Sequence, residues 1–348
     1  MLARHYVLAL SLPLLAAGCS CCPDPFYELT TPDPVVRLPT DEAPHCFGGV
    51  EWWYYSGRLT AGADREFGIE IVIFHVPPLP LLLGGERWVA HFAVIDVHSA
   101  QFKYDQVEVR GPQSATLPGN GFDLHTPLVH MRGGDGLDFV QATFADRSYS
   151  VSLELLDQRG PVLHEGDGYV PFGANGQAFY YSRPHMDASG TFSIGDEQFT
   201  VSGRVWFDRQ WGRDINNPHQ HWQWFSLRMN DGTDIMFYQF PRRNAAVAFG
   251  TLIPPSGPSV SLSAEDFRVA PTATWLSPAT GIEYAVGWTI ELPRDGTVLT
   301  LAAVVDDVEL ETRATTREVY WEGLCTVRSS SHPDRVDGYA YVEQVNGS

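Results

Sequence analysis

The sequence predicts an all-β protein whose antiparallel strands curl into barrels or strongly curved sandwiches in each half of the chain. Three observations carry this. Apolar and polar residues alternate with a period of two in segment after segment. Clusters rich in Gly, Asp, Asn and Pro separate those segments, and no long segment keeps a helical period. The chain has 348 residues, of which 44% are apolar and 19% charged. That length suits two domains of common size, and the composition supports a large core rather than global disorder.

Taken in order, the first strand signal is Glu51-Trp52-Trp53-Tyr54-Tyr55, continuing to Leu59, too aromatic for a solvated loop. In Phe67 to Phe74, Phe67, Ile69, Ile71 and Ile73 take one face and Gly68, Glu70, Val72 and Phe74 the other. The alternation recurs in 92–97, 137–144, 149–156, 222–229, 235–240, 284–292 and 298–305. Turn clusters such as Gly133-Gly134-Asp135-Gly136 and Asn230-Asp231-Gly232 punctuate these runs. Pro77 to Gly85 is apolar but rich in proline, so it reads as a loop or barrel lid. Asn216-Asn217-Pro218 is a natural seam, dividing a first domain, 46–216, from a second, 217–348.

The amino terminus reads as an address. Arg4 precedes an apolar stretch from Tyr6 to Leu15 and the small residues Ala16-Ala17-Gly18, the pattern of a secretory signal too short to span a bilayer as a mature helix. Leu-Ala-Ala-Gly-Cys resembles a bacterial lipoprotein signal (1–18) with Cys19 as the lipidated residue, although Ala16 stands where a larger aliphatic residue is commoner. Ordinary secretion is the alternative. Ser20 is not the aspartate of inner-membrane retention, so a two-membrane host would place the protein on the periplasmic side of the outer membrane. Residues 19–45, rich in Pro and Thr, read as a tether. Of the five cysteines, Cys46 and Cys325 fall in the folded region, where an exported location would allow them to pair. A net charge of −19 with no run of Arg or Lys excludes nucleic acid as a partner.

The stretch Gly203-Arg204-Val205-Trp206-Phe207-Asp208-Arg209-Gln210-Trp211-Gly212 sets a carboxylate and a guanidinium between tryptophans, as where a strand enters a cavity and then turns. By itself a motif of this length reads first as a turn aspartate and a surface arginine beside two packing tryptophans. Other chemistries find less. His219-Gln220-His221 offers two imidazoles on one strand face but no third ligand, so no metal is expected. There is no Gly-x-Ser-x-Gly elbow, which weakens a serine-hydrolase reading, and no dinucleotide fingerprint or phosphate loop, so no organic cofactor is expected.

Glu51-Trp52-Trp53-Tyr54, Tyr181-Ser182-Arg183-Pro184-His185-Met186, Trp206 to Gly212, Trp222-Gln223-Trp224-Phe225 and Tyr320-Trp321-Glu322-Gly323 occur in this order, with Gly338-Tyr339-Ala340-Tyr341-Val342-Glu343 near the end. Together these blocks resemble the hydroxyneurosporene synthase (acyclic carotenoid 1,2-hydratase, CrtC) and AttH-like family over essentially all of the chain after the tether. The resemblance implies two lipocalin-like antiparallel β-barrel domains packed side by side, with the shared motifs near their interface. It implies an apolar ligand (a lipid, isoprenoid or polyene) and either hydration or cyclisation of an alkene, or a non-catalytic carrier role beside an ABC-type transporter permease. The lipoprotein signal departs from the pigment-pathway members and favours the AttH-like branch.

Hydrating an alkene needs an acid that protonates carbon, a wall that tolerates a carbocation and a positioned water. Asp208 is the candidate acid, if burial keeps it protonated; ionised and salt-bridged at a domain joint, it would be structural. On a strand its neighbour Arg209 points to the opposite face. Glu51, His185 and Tyr181 are further catalytic candidates, and Trp52, Trp53, Tyr54, Arg183, Trp206, Trp211 and Trp224 the substrate-binding ones. Glu51 begins an apolar strand and would need a partner such as Arg183, His185 reads equally as a turn histidine, and some of the aromatics must be core.

Overall fold

The structure is a computed structural model and describes residues 35–45, 49–76, 86–114, 121–172, 176–213, 221–240, 247–294, 296–329 and 337–346. Two antiparallel sheets hold most of them. The first is built from β1 (Val50–Ala61), β2 (Arg65–Val76), β3 (Arg87–Asp96), β4 (Gln101–Arg110), β5 (Phe122–His125), β6 (Val129–Gly133), β7 (Leu137–Thr143), β8 (Tyr149–Asp157), β9 (Val162–Leu163), β10 (Tyr169–Pro171), β11 (Gln177–Ile194) and β12 (Glu197–Arg213). Their order is β4–β3–β2–β1–β12–β11–β8–β7–β6–β5, with β9 and β10 also on β11.

The second sheet takes β13 (Trp222–Met229), β14 (Asp234–Gln239), β15 (Ala248–Ile253), β16 (Val260–Ser263), β17 (Arg268–Leu276), β18 (Glu283–Leu292), β19 (Thr297–Ala303), β20 (Glu309–Glu311), β21 (Val319–Ser329) and β22 (Gly338–Val345). It runs β16–β15–β14–β13–β22–β21–β19–β18–β17, with β20 on β21. Each sheet curls into a half-barrel, the all-β lipocalin-like architecture that the sequence led us to expect. The predicted seam, the Pro77–Gly85 loop and the lipoprotein signal with Cys19 lie outside the described residues, as does Cys46; Cys325 is a buried free thiol.

Alternation decides where the cores sit. On β2, Phe67, Ile69, Ile71 and Ile73 enter the core of the first half-barrel with Trp53, Tyr55 and Phe207. The opposite face of the first sheet packs on the second: Tyr54, Val72, Ile95, Tyr180 and Trp206 share one apolar cluster with Trp224, Phe225, Trp288 and Trp321. Fully burying a large apolar side chain contributes roughly 1.5–3 kcal/mol, so this shared cluster welds the halves. Gly68 makes the approach close: a Cβ there would meet the Leu324 side chain of β21 at 3.3 Å.

Two local features differ from the sequence reading. The end of the expected tether is ordered, because its apolar and backbone groups find partners on the first half-barrel. Val36 is buried and its N–H bonds Asp167 O at 2.9 Å, while Glu42 follows in a short 3₁₀ turn, Thr40–Glu42. The Arg183-Pro184-His185-Met186 block sits inside β11, where the register with β12 shifts between Arg183 and Met186. Proline cannot donate to a ladder, and a bulge accommodates it.

Candidate active site

Strand β12 sends Trp206 and Asp208 toward the second sheet and Phe207, Arg209 and Trp211 into the first core. Asp208 is 4% exposed and sits in a net of donors. Its Oδ1 accepts Ser182 Oγ–H at 2.5 Å and Trp206 Nε1–H at 2.6 Å, and its Oδ2 accepts Tyr180 O–H at 2.5 Å. Behind these, Trp224 Nε1–H donates to Tyr180 Oη at 2.9 Å, while His164 Nε2 meets Ser182 Oγ at 2.8 Å and His164 Nδ1 meets Thr251 Oγ1 at 2.8 Å.

A carboxylate only accepts, so with Asp208 ionised Ser182 spends its proton on it and accepts from His164 Nε2–H, leaving Nδ1 to accept from Thr251. Burial holds His164 neutral, pushing it down to about 3. Burial pushes Asp208 up to about 6, against the pull of the bonds from Ser182, Tyr180 and Trp206. Asp208 is thus poised near neutrality, with an acceptor position left on Oδ2.

Further carboxyls share this intersheet region. Burial raises Glu343 to about 7, opposed by the bond from Trp222 and reinforced by the charge of Asp208. Burial, then mutual repulsion within the group, raises Glu70 and Glu322 well above the ordinary carboxylate range. Tyr54 O–H donates to Glu322 Oε1. Neither oxygen of Glu70 has a hydrogen-bond partner among the described residues, a cost that falls hardest on the ionised form. Tyr54 stands edge-on to Trp224 at 5.5 Å, and Trp206 edge-on to Trp224 at 6.2 Å. Beside Trp206, a cavity of about 10 Å³ reaches Ser56, Arg228, Tyr339 and Tyr341 and has room for about one water.

The sequence-predicted candidates therefore divide. Asp208, Tyr54, Trp206 and Trp224 meet at this site, and Trp52 lies on the same face, packed on Phe74 at 6.0 Å. Glu51, Tyr181, Arg183, Trp53 and Trp211 lie on the other face, in the first half-barrel. There the expected pairing of Glu51 with Arg183 is replaced. Glu51 binds Arg209 Nη2 at 2.5 Å and His75 Nδ1 at 2.7 Å, while Arg183 binds Asp138 at 3.0 Å and Glu42 at 3.1 Å.

The reason is register: Glu51 lies opposite Trp211 on β12, which brings Arg209, two residues along on the same face, within reach. Arg209 thus turns inward, stacking over Trp53 at 3.8 Å, and is fully buried rather than a surface arginine. Burial of Glu51 is outweighed by Arg209 and the bonds from His45 and His75, so its carboxyl stays well below the ordinary range. His185 is apart from both sets, 3.8 Å from Asp234 and 3.9 Å from Asp187. Nor does Asp208 make a salt bridge: its bonds among the described residues come from neutral donors.

Sequence reasoning singled out neither Tyr180, Ser182 and His164 nor the acids Glu70, Glu322 and Glu343. Two signals were available: Tyr180 and Ser182 flank Tyr181 at the spacing that shares a strand face, and Glu70 is a carboxylate in the middle of β2, followed on its own face by Val72 and Phe74.

Comparison with known proteins bears on this arrangement. A relative, kievitone hydratase of Fusarium solani subsp. phaseoli, is 24% identical over 304 residues, covering 84% of this chain and 81% of that protein. A solved AttH structure from Nitrosomonas europaea superposes with a TM-score of 0.80 at 25% identity, covering 90% of this chain and 98% of that one. Kievitone hydratase from Nectria haematococca superposes with a TM-score of 0.70 at 19% identity, covering 92% and 95%, and speaks for the fold. The family model described as AttH-like matches residues 29–347, and the chain belongs to the AttH-like family.

Proposed function

We propose that the protein is a hydro-lyase that adds water across a carbon–carbon double bond of an apolar substrate. The observation that carries it is Asp208: a buried carboxyl raised to about 6, walled by Trp206, Trp224 and Tyr54. The hydratase relative supports the reaction class. Protonated Asp208 gives its proton to one alkene carbon, and the π bond breaks to leave a cation on the other. Aromatic faces stabilise such a cation by roughly 0.5–2 kcal/mol each. A water then forms the new C–O bond and its surplus proton returns to the Asp208 carboxylate, so the sum is alkene plus water. Burial raises Glu343, Glu70 and Glu322 as well, which favours their protonated forms in the same intersheet region. The signal pattern with Cys19 supports export and lipid anchoring to the cell envelope, and a substrate drawn from lipids, isoprenoids or polyenes suits that location.

The test is to incubate purified protein with kievitone and with acyclic polyenes in heavy-oxygen water. A product heavier by one labelled water is expected, and its yield should collapse in Asp208→Asn; equal turnover by that variant overturns the assignment. A carrier role beside a transporter permease is the competing outcome: an apolar molecule recovered unaltered with the protein, and no product from any substrate.

A further inference from the structure

The hairpin β5–β6 carries a second cluster, far from Asp208 in the sheet order. Between β5 and β12 lie β6, β7, β8 and β11. Along the hairpin, Phe122, Leu124, Val129 and Met131 are buried in the first core, so alternation turns Asp123, His125 and His130 outward. Asp123 and His125 share a face at i and i+2, and the register sets His125 directly opposite His130. The three side chains converge. His125 Nε2 and His130 Nε2 lie 2.7 and 2.9 Å from the same oxygen, Asp123 Oδ1, and the two imidazoles stack with centroids 3.8 Å apart. One ligand atom from each residue lies within 4.8 Å of the others.

We propose that Asp123, His125 and His130 bind one divalent transition-metal ion, with Zn²⁺ as the probe. Zinc takes His nitrogen and carboxylate oxygen at roughly 2.0–2.2 Å, so tetrahedral ligand atoms stand about 3.4 Å apart. The two Nε2–Oδ1 distances, 2.7 and 2.9 Å, lie below that value, and side-chain rotation opens them to admit an ion. Two imidazoles and one carboxylate are a donor set suited to zinc, nickel or copper rather than to magnesium or calcium. The side chains of His125 and His130 are 53% and 38% exposed on the hairpin that ends the sheet order, so an ion can reach them and water completes its coordination. Arg132, paired with Asp123 across the hairpin, and Gln141, paired with His130, are the neighbours on this face. The Arg132 charge opposes a cation, so affinity should be moderate. Neither ligand spacing nor burial ties this site to the intersheet chemistry.

The experiment is calorimetric titration of ZnCl₂ into tag-free full-length protein at mildly alkaline pH. One saturable ion per chain is expected, removed by a chelator. His125→Ala and His130→Ala should each weaken binding by more than about tenfold, since even outer-shell partners of a metal are worth roughly 10–100-fold. Both positions face solvent, and unchanged circular dichroism and melting will show that the variants fold. Absence of saturable binding, or equal binding by wild type and both variants, overturns the proposal.

Discussion

Asp208 and Arg209 are adjacent in the chain and serve different compartments. Asp208 accepts from Tyr180, Ser182 and Trp206 between the sheets, while Arg209 binds Glu51 at 2.5 Å inside the first half-barrel. Because the strand turns them to opposite faces, the arginine does not hold the aspartate ionised, and burial can raise it.

If Asp208 donates the proton, Asp208→Asn should lower turnover by roughly 100-fold or more, the usual weight of a general acid. Circular dichroism should show the fold retained, since the amide keeps the shape of the carboxyl. Turnover assays on the folded variant check this.

The rate should fall as pH rises through the interval from about 6 to about 7, where Asp208 and Glu343 lose their protons. These carboxyls interact, so the profile reports values of the pair. A rate that instead rises through that interval would make Asp208 a base.

Stability should follow the same groups with a definite sign. Asp208 has a folded pKa above its ordinary 3.8, so the stability it contributes is full below that value and is lost as pH rises to about 6. The loss is about 3 kcal/mol, taking 1.36 kcal/mol for each pH unit between those values. Urea unfolding between pH 4 and 7 should show less of this decline in Asp208→Asn.

Glu51 behaves oppositely. Its carboxyl is held well below the ordinary range, so its stabilisation is present above about pH 4.5 and lost in acid. Arg209→Met strands a buried carboxylate and should cost roughly 3–5 kcal/mol, read as a drop in the urea midpoint. A change under about 1 kcal/mol would show that water reaches Glu51.

Burial, then the neighbouring carboxyls Glu70 and Glu343, raises Glu322 well above the ordinary carboxylate range. Glu322→Gln keeps its shape and lacks only the ability to ionise, so its melting temperature in mild acid should stay close to wild type. At alkaline pH the variant should melt higher, because Glu322 there must ionise in an apolar place.

Period-two alternation in the sequence determined the all-β class, the two faces of β2 and the separation of Trp52 from Trp53, because side chains on a strand must alternate. It also determined that Asp208 and Arg209 diverge. What only the tertiary structure decided is which face meets what. Strand pairing chose Arg209 over Arg183 as the partner of Glu51, and the packing of one sheet on the other gathered Glu70, Asp208, Glu322 and Glu343 from distant segments. Hairpin register joined His125 to His130, where the sequence had offered only His219 and His221 for a metal. Alternation is local and is written in each strand; register and sheet-on-sheet packing are properties of the whole chain, and they set both the neighbours and the protonation of these groups.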